Sequence, residues 1–568
     1  MLHQYQIFAS LLAAATASPL SINSPNNTTN STIAKSFKEV PLSATLQYVE
    51  CFEGFKCANL EVPLDYDNTS IGTTNVAFLK WETPKQPAKG DILINPGGPG
   101  DSGVQYVEND LEILIGLFGD SYNIVGMDPR GVNNSGPIIN CFPGQPGVRD
   151  YYDSQYYLKY DPHSPAQLVE HFEDAGAFGD WCMQTLNETA RYANTPATAR
   201  DMLQYAELLS ESQGCDKTEA KVDYYGVSYG SALGTTFATL YPDRVGRMII
   251  DGVVDVEDYY GGSWTQNVIQ ADQAVDQFFQ ECFNAKSNCS FYRNESSPAE
   301  IQQRFDAVLA DLEKAPIPVS DPNLVQFPTT ITHIDARSLL LQFIYNGQTN
   351  YPTIADQFSL LEQRNASLII TYLALAGTPK GLTLPLGGLE AAPEFSPVQP
   401  KLIIACNDQH GNYNISTVEK WQEYVSTLEG ISRYAGGVWA AVITLQCRKL
   451  GFVPPETQQF PGFKKDLKTA NPILFTTNTI DPVASSADKM SPFFADSVVL
   501  KQHAIGHGMQ VAHSNCTTGY LTKFMETGEL PPKGTVCEIE DKYFQVTEEA
   551  GGPTVQKRGI PKWSSIGW

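Results

Sequence analysis

Four apolar runs, each emptying into a turn rich in glycine or proline, constrain this chain more than any other feature. They are "DILINPGGPG" (91–100), "YNIVGMDPRG" (122–131), "VDYYGVSYGS" (222–231) and "VGRMIIDGVVD" (245–255). Near-continuous apolarity, rather than strict alternation, is what a strand needs when helices cover both faces of its sheet. Helical segments lie between the runs, notably Thr198 to Ser212, which ends near Gly214. Strands alternating with helices predict an α/β fold with a mostly parallel central sheet. The alternation stops after residue 255, and residues 256–450 carry helical patterns such as Gln273 to Cys282 and Pro298 to Glu313, with long loops. It resumes at "NPILFTTNTIDP" (471–482) and "SVVLKQHAIGHG" (497–508). The predicted core is therefore 45–255 plus 451–545, interrupted by a large, mainly helical lid at 256–450.

The 568-residue chain has a formal net charge of −25, which excludes nucleic acid as a partner because its phosphates would be repelled. Residues 1–17 read as a signal peptide: Ile7 to Ala15 is apolar but too short to span a bilayer, and Ala15-Thr16-Ala17 suits cleavage. Residues 18–44 read as a disordered, glycosylated lead-in and 546–568 as a tail, where Lys557-Arg558 is read as solvated. Acceptor sequons are dense, at Asn26, Asn27, Asn30, Asn68, Asn133, Asn187, Asn288, Asn294, Asn365, Asn414 and Asn515. The 11 cysteines include the close spacings Cys51/Cys57, Cys282/Cys289 and Cys516/Cys537 and form no CxxC pair, so disulfides in an oxidising compartment fit better than zinc or a redox motif. An odd count leaves a thiol over, assigned to Cys215; connectivity does not follow from sequence. A secreted, extracellular protein is expected, with no membrane association once the signal is removed.

The chemistry concentrates at the turns. Gly226-Val227-Ser228-Tyr229-Gly230 follows a predicted strand and precedes the helix-like "SALGTTFATLY". A serine hydroxyl is a poor nucleophile until a base takes its proton. A sharp strand-to-helix turn lifts the side chain above the sheet and turns the next N–H toward the reacting oxygen. Glycines two residues either side relieve the crowding. The competing reading, a plain small-residue turn, does not need the strand–turn–helix context. "NPGGPGDSG" (95–103) sits where a second oxyanion donor belongs, so Gly98 and Tyr229 are the candidate donors, against a plain Gly/Pro turn.

The orienting acid and the base should follow in that order. Asp481 ends the strand "PILFTTNTI", and His507 follows the next strand between Gly506 and Gly508. His507 Nε2 would take the proton from Ser228 and Asp481 would hold the other ring nitrogen. Of 8 histidines, His503 falls inside a strand and His513 past the turn, which makes them weaker bases. Asp255 is the alternative acid, and Asp488 is assigned to the start of a helix. Arg130 of "MDPRG" is read as pairing with loop carboxylates rather than substrate, and the acids of "DVEDYYGG" (255–262) as facing solvent. Such a site needs no metal and no organic cofactor.

With these pieces the chain resembles the secreted α/β-hydrolase-fold serine aminopeptidases of tripeptidyl and prolyl type. "NPGGPGDSG", "GMDPRGVNNSG", "YYGVSYGSALGTTFATLYPDRVGRMIIDGVVD", "TTNTIDPVA" and "GHG" carry the resemblance over roughly residues 45–540. "CTTGYLTKFMETGELPPKGTVC" (516–537) resembles the family's C-terminal segment, and "IIACND" (403–408) a lid element in which Cys406 would pair with Cys447. Met509 after "GHG" departs from many relatives. The resemblance implies an α/β-hydrolase fold, the triad Ser228, Asp481 and His507, and oxyanion donors Gly98 and Tyr229. It implies hydrolysis of short peptides from a free N-terminus, with lid carboxylates binding the amine. A carboxylesterase or amidase on the same scaffold, and an inactive binding protein, stay open as alternatives.

Overall fold

The computed structural model describes residues 33–154, 160–325, 327–375 and 395–544. The expected signal peptide, most of the lead-in, the tail with Lys557-Arg558, and the sequons at Asn26, Asn27 and Asn30 lie outside the described residues.

The apolar runs form the strands of one sheet: β1 Phe55–Pro63, β2 Thr73–Trp81, β3 Asp91–Asn95, β4 Asn123–Met127, β5 Val222–Ser228, β6 Val245–Val253, β7 Leu474–Ile480 and β8 Val498–Ile505. Their order is β1-β2-β4-β3-β5-β6-β7-β8, and short edge pieces at both ends bring the sheet to eleven strands. β2 is antiparallel to both β1 and β4. From β4 onward every neighbour is parallel. Parallel pairing brings the chain out of β3, β5, β6, β7 and β8 at one edge, the edge that carries Ser228.

The period of two along each strand divides the core between the faces. On one face Ile92, Ile94, Ile124, Tyr225, Val227, Ile249, Leu474 and Leu500 pack on Val104, Val107 and Leu114 of helix α1 (Gly103–Phe118). On the other, Leu93, Val125, Tyr224, Ile250 and Phe475 meet α2 (Thr195–Ser212) and α3 (Tyr229–Leu240) through Met202, Leu203, Leu233 and Phe237. α2 begins three residues before the expected Thr198, because Asn194 caps it by accepting from the Ala197 N–H, with Pro196 in its first turn.

Between β6 and β7 the chain runs mainly through helices. These include α4 (Pro298–Lys314), α5 (His333–Ile344), α6 (Val398–Gln409) and α7 (Val418–Ile431), with a two-stranded antiparallel ribbon, Ile317–Val319 against Thr329–Ile331. After β8, α8 (Asn515–Thr527) packs Leu521, Phe524 and Met525 into the α1 face.

Five disulfides, Cys51–Cys57, Cys141–Cys182, Cys282–Cys289, Cys406–Cys447 and Cys516–Cys537, leave Cys215 unpaired and exposed. Residues 33–44 correct the expectation of a disordered lead-in. Phe37 and Val40 are buried with Cys51 and Cys57, and Leu42–Ser43 pairs with β1, so apolar burial outweighs the polar composition around it. Of the described sequon asparagines, Asn68, Asn187, Asn288, Asn294, Asn365, Asn414 and Asn515 are exposed, whereas Asn133 is half-buried and donates from Nδ2 to Ser102 Oγ. Among the described residues no helix is long and apolar enough to cross a membrane.

Candidate active site

Ser228 ends β5 and caps α3 with φ 59° and ψ −125°, a sparsely populated conformation for a residue with a side chain. The glycines around it answer to contacts. A Cβ at Gly226 would lie 2.4 Å from Gly230 O and 2.5 Å from the Tyr224 hydroxyl; one at Gly230 would lie 2.7 Å from Asn95 O. The turn closes this tightly because β5, α3 and the loop after β3 meet at one point. That loop brings Gly97 (φ 115°) so near that a Cβ there would sit 2.8 Å from Ser228 Cβ and 3.2 Å from Tyr229 N. Gly98 and Tyr229 line one cavity with Ser228. Tyr229 is the first residue of α3, so its N–H has no partner within the helix. Asp128 braces the same loop: its carboxylate accepts from Ser102 Oγ at 2.5 Å and from Val104 N, Asn134 N and Asn134 Nδ2.

His507 and Asp481 are brought together. Both Asp481 oxygens lie on His507 Nδ1, at 3.0 and 3.1 Å. Asp481 Oδ1 also accepts from Val483 N and Ala484 N, and its own N–H donates to Gln270 Oε1. The His507 backbone N–H donates to Tyr345 O, and the Tyr345 ring stands edge-on to the imidazole. His507 Nε2 is buried without a hydrogen-bond partner. A Cβ on Gly252 would lie 2.9 Å from the imidazole Cε1, and the next residue, Val253, is the register partner of Ser228. The imidazole thus sits beside the serine turn, with no direct hydrogen bond between the two residues. Burial disfavours the imidazolium, but the charge and hydrogen bond of Asp481, helped by Asp251, outweigh it and hold His507 above its ordinary pKa.

The other candidates are engaged elsewhere. Asp255 caps the helix Val256–Gly261 and pairs with Lys489 at 2.6 Å. Only Glu257 of that acidic stretch is exposed; Asp255 is buried and Asp258 half-buried, accepting from Ser263 Oγ and Gln266 N. This corrects the solvent-facing expectation, since helix-starting N–H groups recruit the carboxylates. Asp488 lies in the first turn of Ala487–Met490 and pairs with Lys501. His503 pairs with Glu538 and His513 with Glu540, both at the surface. Arg130 is fully buried, bonded twice to Asp201 and to the carbonyls of Pro63 and Leu64.

Three groups escaped the sequence reading. Asp251 is buried in β6 and accepts from Met509 N, the Tyr225 hydroxyl and Thr476 Oγ1, so it anchors the loop after His507. A carboxylate inside an apolar run was its signal. Asp408, in the "IIACND" stretch, accepts from Thr195 and from the Tyr259 hydroxyl, and Thr195 in turn bonds the Tyr229 hydroxyl. Third, the cavity wall among the described residues is Val254, Tyr259, Trp264, Asn267, Tyr345, Lys401, Trp439, Val442, Ile443 and Val483, with no carboxylate among them. Lys401 on α6 is buried beside Asp101; burial lowers its ammonium to about 8 against the pull of Asp101. Burial raises Asp101 to about 6 against Lys401. Long-range helix packing brings these cavity residues to the site, so no local pattern marks them.

Residues 92–300 match the family model described as alpha/beta hydrolase fold, and residues 432–537 match that of TAP-like protein. The chain has the α/β-hydrolase fold. It is 28% identical over 291 residues to a tripeptidyl aminopeptidase of Streptomyces lividans, covering 50% of this chain and 51% of that one. It is 27% identical over 335 residues to the serine protease Hip1 of Mycobacterium tuberculosis, covering 57% and 58%. A shorter match, 36% over 92 residues, covers 15% of this chain and 16% of carboxylesterase B of Mycobacterium tuberculosis. The chain spans about half the length of the first two relatives.

Proposed function

We propose that this α/β-hydrolase-fold protein is a secreted serine exopeptidase that releases short peptides or amino acids from peptide N-termini through an acyl-enzyme. The observation that carries the reading is the His507 imidazole, clasped on Nδ1 by Asp481 and buried with an unpartnered Nε2 beside the strained turn of Ser228. Ser228 Oγ attacks the scissile carbonyl while His507 Nε2 takes its proton, and Asp481 stabilises the imidazolium. The N–H groups of Gly98 and Tyr229 receive the developing oxyanion. His507 then protonates the leaving amine, and water, activated the same way, releases the acyl group. The relatives named tripeptidyl aminopeptidase and serine protease support peptide substrates; the disulfides and exposed sequons support secretion.

A free amine needs a carboxylate partner. Among the described residues the wall of the cavity supplies none, so the lid carboxylates expected for that task lie elsewhere or give way to Asp101, whose Oδ2 would be 3.0 Å from a Cβ on Gly98. That same wall favours a second reading, an esterase or amidase taking an apolar acyl group, in keeping with the short match to carboxylesterase B.

A digest of a peptide library and a panel of aryl esters by the purified wild type and Ser228→Ala, read by mass spectrometry, tests both. N-terminal release that Ser228→Ala abolishes supports the exopeptidase. Ester turnover without peptide release moves the assignment to the second reading. Failure of a fluorophosphonate to label Ser228 in the folded wild type leaves only an inactive binding protein.

A further inference from the structure

Outside the residues that line the cavity at the serine turn, two excursions that leave the sheet at different strands meet around a small side-chain cluster. Asp161 and His163 lie in the loop before the helix Pro165–Thr185, between β4 and β5; His333 is the first residue of α5, between β6 and β7. One donor atom from each of the three residues falls within 4.8 Å of the others. His333 Nε2 is 3.6 Å from Asp161 Oδ1, and His163 Nδ1 is 4.0 Å from Asp161 Oδ1 and 3.7 Å from Glu313 Oε1 at the end of α4. The two imidazoles lie parallel, with centroids 6.5 Å apart.

These spacings are the informative feature. They are too long for hydrogen bonds, which close at about 2.7–3.2 Å. They are near the separation of about 3.3 Å between donors sharing a tetrahedral ion with bonds of about 2.0–2.1 Å. A second observation is independent of the spacing. His333 is 5% exposed, and its Nε2 has no hydrogen-bond partner, a costly state for a buried ring nitrogen. A third is the support behind the cluster: His163 Nε2 lies 3.0 Å from Glu429 Oε1 on α7, so a carboxylate fixes the ring with Nδ1 turned inward, as the outer partners of metal-binding histidines do. Arg337, one turn along α5, spends a guanidinium N–H on the Arg433 carbonyl.

We propose that Asp161, His163 and His333 form a structural site for a divalent ion of the zinc class, with Glu313 or water completing a four-coordinate shell. Two imidazoles and a carboxylate suit zinc rather than calcium or magnesium, which take oxygen ligands. The ion would clip the loop before Pro165–Thr185 to α5, and so one excursion of the chain to the other. It takes no part in the reaction at Ser228.

The test uses the full chain, stripped with EDTA and dialysed, then titrated with Zn²⁺ alone by calorimetry and followed by thermal melts, with Co²⁺ as a spectroscopic probe. The expected result is one Zn²⁺ per chain, a melting temperature that rises with Zn²⁺, and tetrahedral Co²⁺ bands. His163→Gln and Asp161→Asn should each weaken binding by about ten- to a hundredfold. The surface variant His503→Gln should not. His333→Gln should behave like the first two; His163 is the more exposed ring, so its variant keeps the test decisive if the buried substitution does not fold. Absence of saturable Zn²⁺ binding, or binding equally strong in His163→Gln and Asp161→Asn, overturns the proposal. Fluorophosphonate labelling of Ser228 should be the same with and without Zn²⁺, which keeps this outcome separate from that of the proposed reaction.

Discussion

The strand-exit edge of the sheet and the helical excursion between β6 and β7, the proposed lid, meet over one cavity, yet they build it by different means. At the sheet edge the proposed nucleophile and acid are held by backbone. Ser228 is forced into its conformation by the close approach of Gly226, Gly230 and Gly97, and Asp481 is gripped by the N–H groups of Val483 and Ala484. In the lid, Trp264, Lys401 and Trp439 reach the cavity as side chains of packed elements separated by long stretches of sequence. The contrast separates reactivity from selectivity: a backbone-built edge tolerates almost no change, whereas a side-chain-built wall can change what it admits without dismantling the chemistry.

The largest effects should therefore fall at the edge. Ser228→Ala should lower kcat by roughly 10⁶ and abolish fluorophosphonate labelling, with little change in melting temperature. Asp481→Asn should cost about 10⁴ in kcat, because the amide favours the wrong tautomer of His507. Asp255→Asn is the contrasting control. It loosens a helix cap worth about 1 kcal/mol and the pair with the solvent-exposed Lys489, so it should lower the melting temperature while leaving kcat within about threefold. Equal loss of kcat in the two variants would erase the distinction between the acids.

The same contrast explains what could be read from the sequence. A glycine forced by close approach leaves a local mark, so the turn at Ser228 and the loop at Gly98 were legible, as was His507 between Gly506 (φ 141°) and Gly508 (φ 78°). Apolar runs bounded by such turns expose the sheet in the same way. Cavity residues leave no such mark, because a lysine at 401 or a tryptophan at 264 is chosen by what packs opposite it. The Cys141–Cys182 bond, and the burial of Phe37 in a polar stretch, were illegible for the same reason: both depend on partners brought close only by folding.

A smaller effect sharpens the lid's side of the comparison. Lys401→Met keeps the length of the side chain and removes its charge, leaving Asp101 buried without its counter-charge. Fluorophosphonate labelling of Ser228 should persist. The ratio of kcat/KM between acidic or acyl-blocked substrates and those with a free amine should shift by about ten- to a hundredfold toward the latter, the range for one charged hydrogen bond gained or lost. An unchanged ratio would take Lys401 out of substrate selection and leave it as a packing residue.

The gentlest perturbation is pH, which moves activity and stability in opposite directions. In the proposed reaction His507 acts as a base only when neutral, and Asp481 and Asp251 hold its pKa above the ordinary imidazole value despite burial. Activity should fall about tenfold per pH unit below that limb, and Asp251→Asn should move the limb toward lower pH. Stability should go the other way. Burial raises Asp101, Asp128, Asp153, Asp223 and Asp408 to about 6 in the folded chain. Between about pH 4, where unfolded carboxyls titrate, and about pH 6, the folded state binds more protons, so stability is fullest at the acid end and declines as pH rises through that window. Lys401, lowered only to about 8, is charged in both states there and adds no slope. His507 has the same sign, its stabilising proton being lost as pH rises through its raised value, whereas His333, lowered by burial, has the opposite sign and offsets part of the slope near its own titration. Melting temperatures recorded beside kcat/KM from pH 4 to 8 should therefore cross, the fold firmest where the enzyme is least active. Parallel curves would mean that those five carboxyls are ionised in the fold, and that the interior around them is wetter than its burial implies.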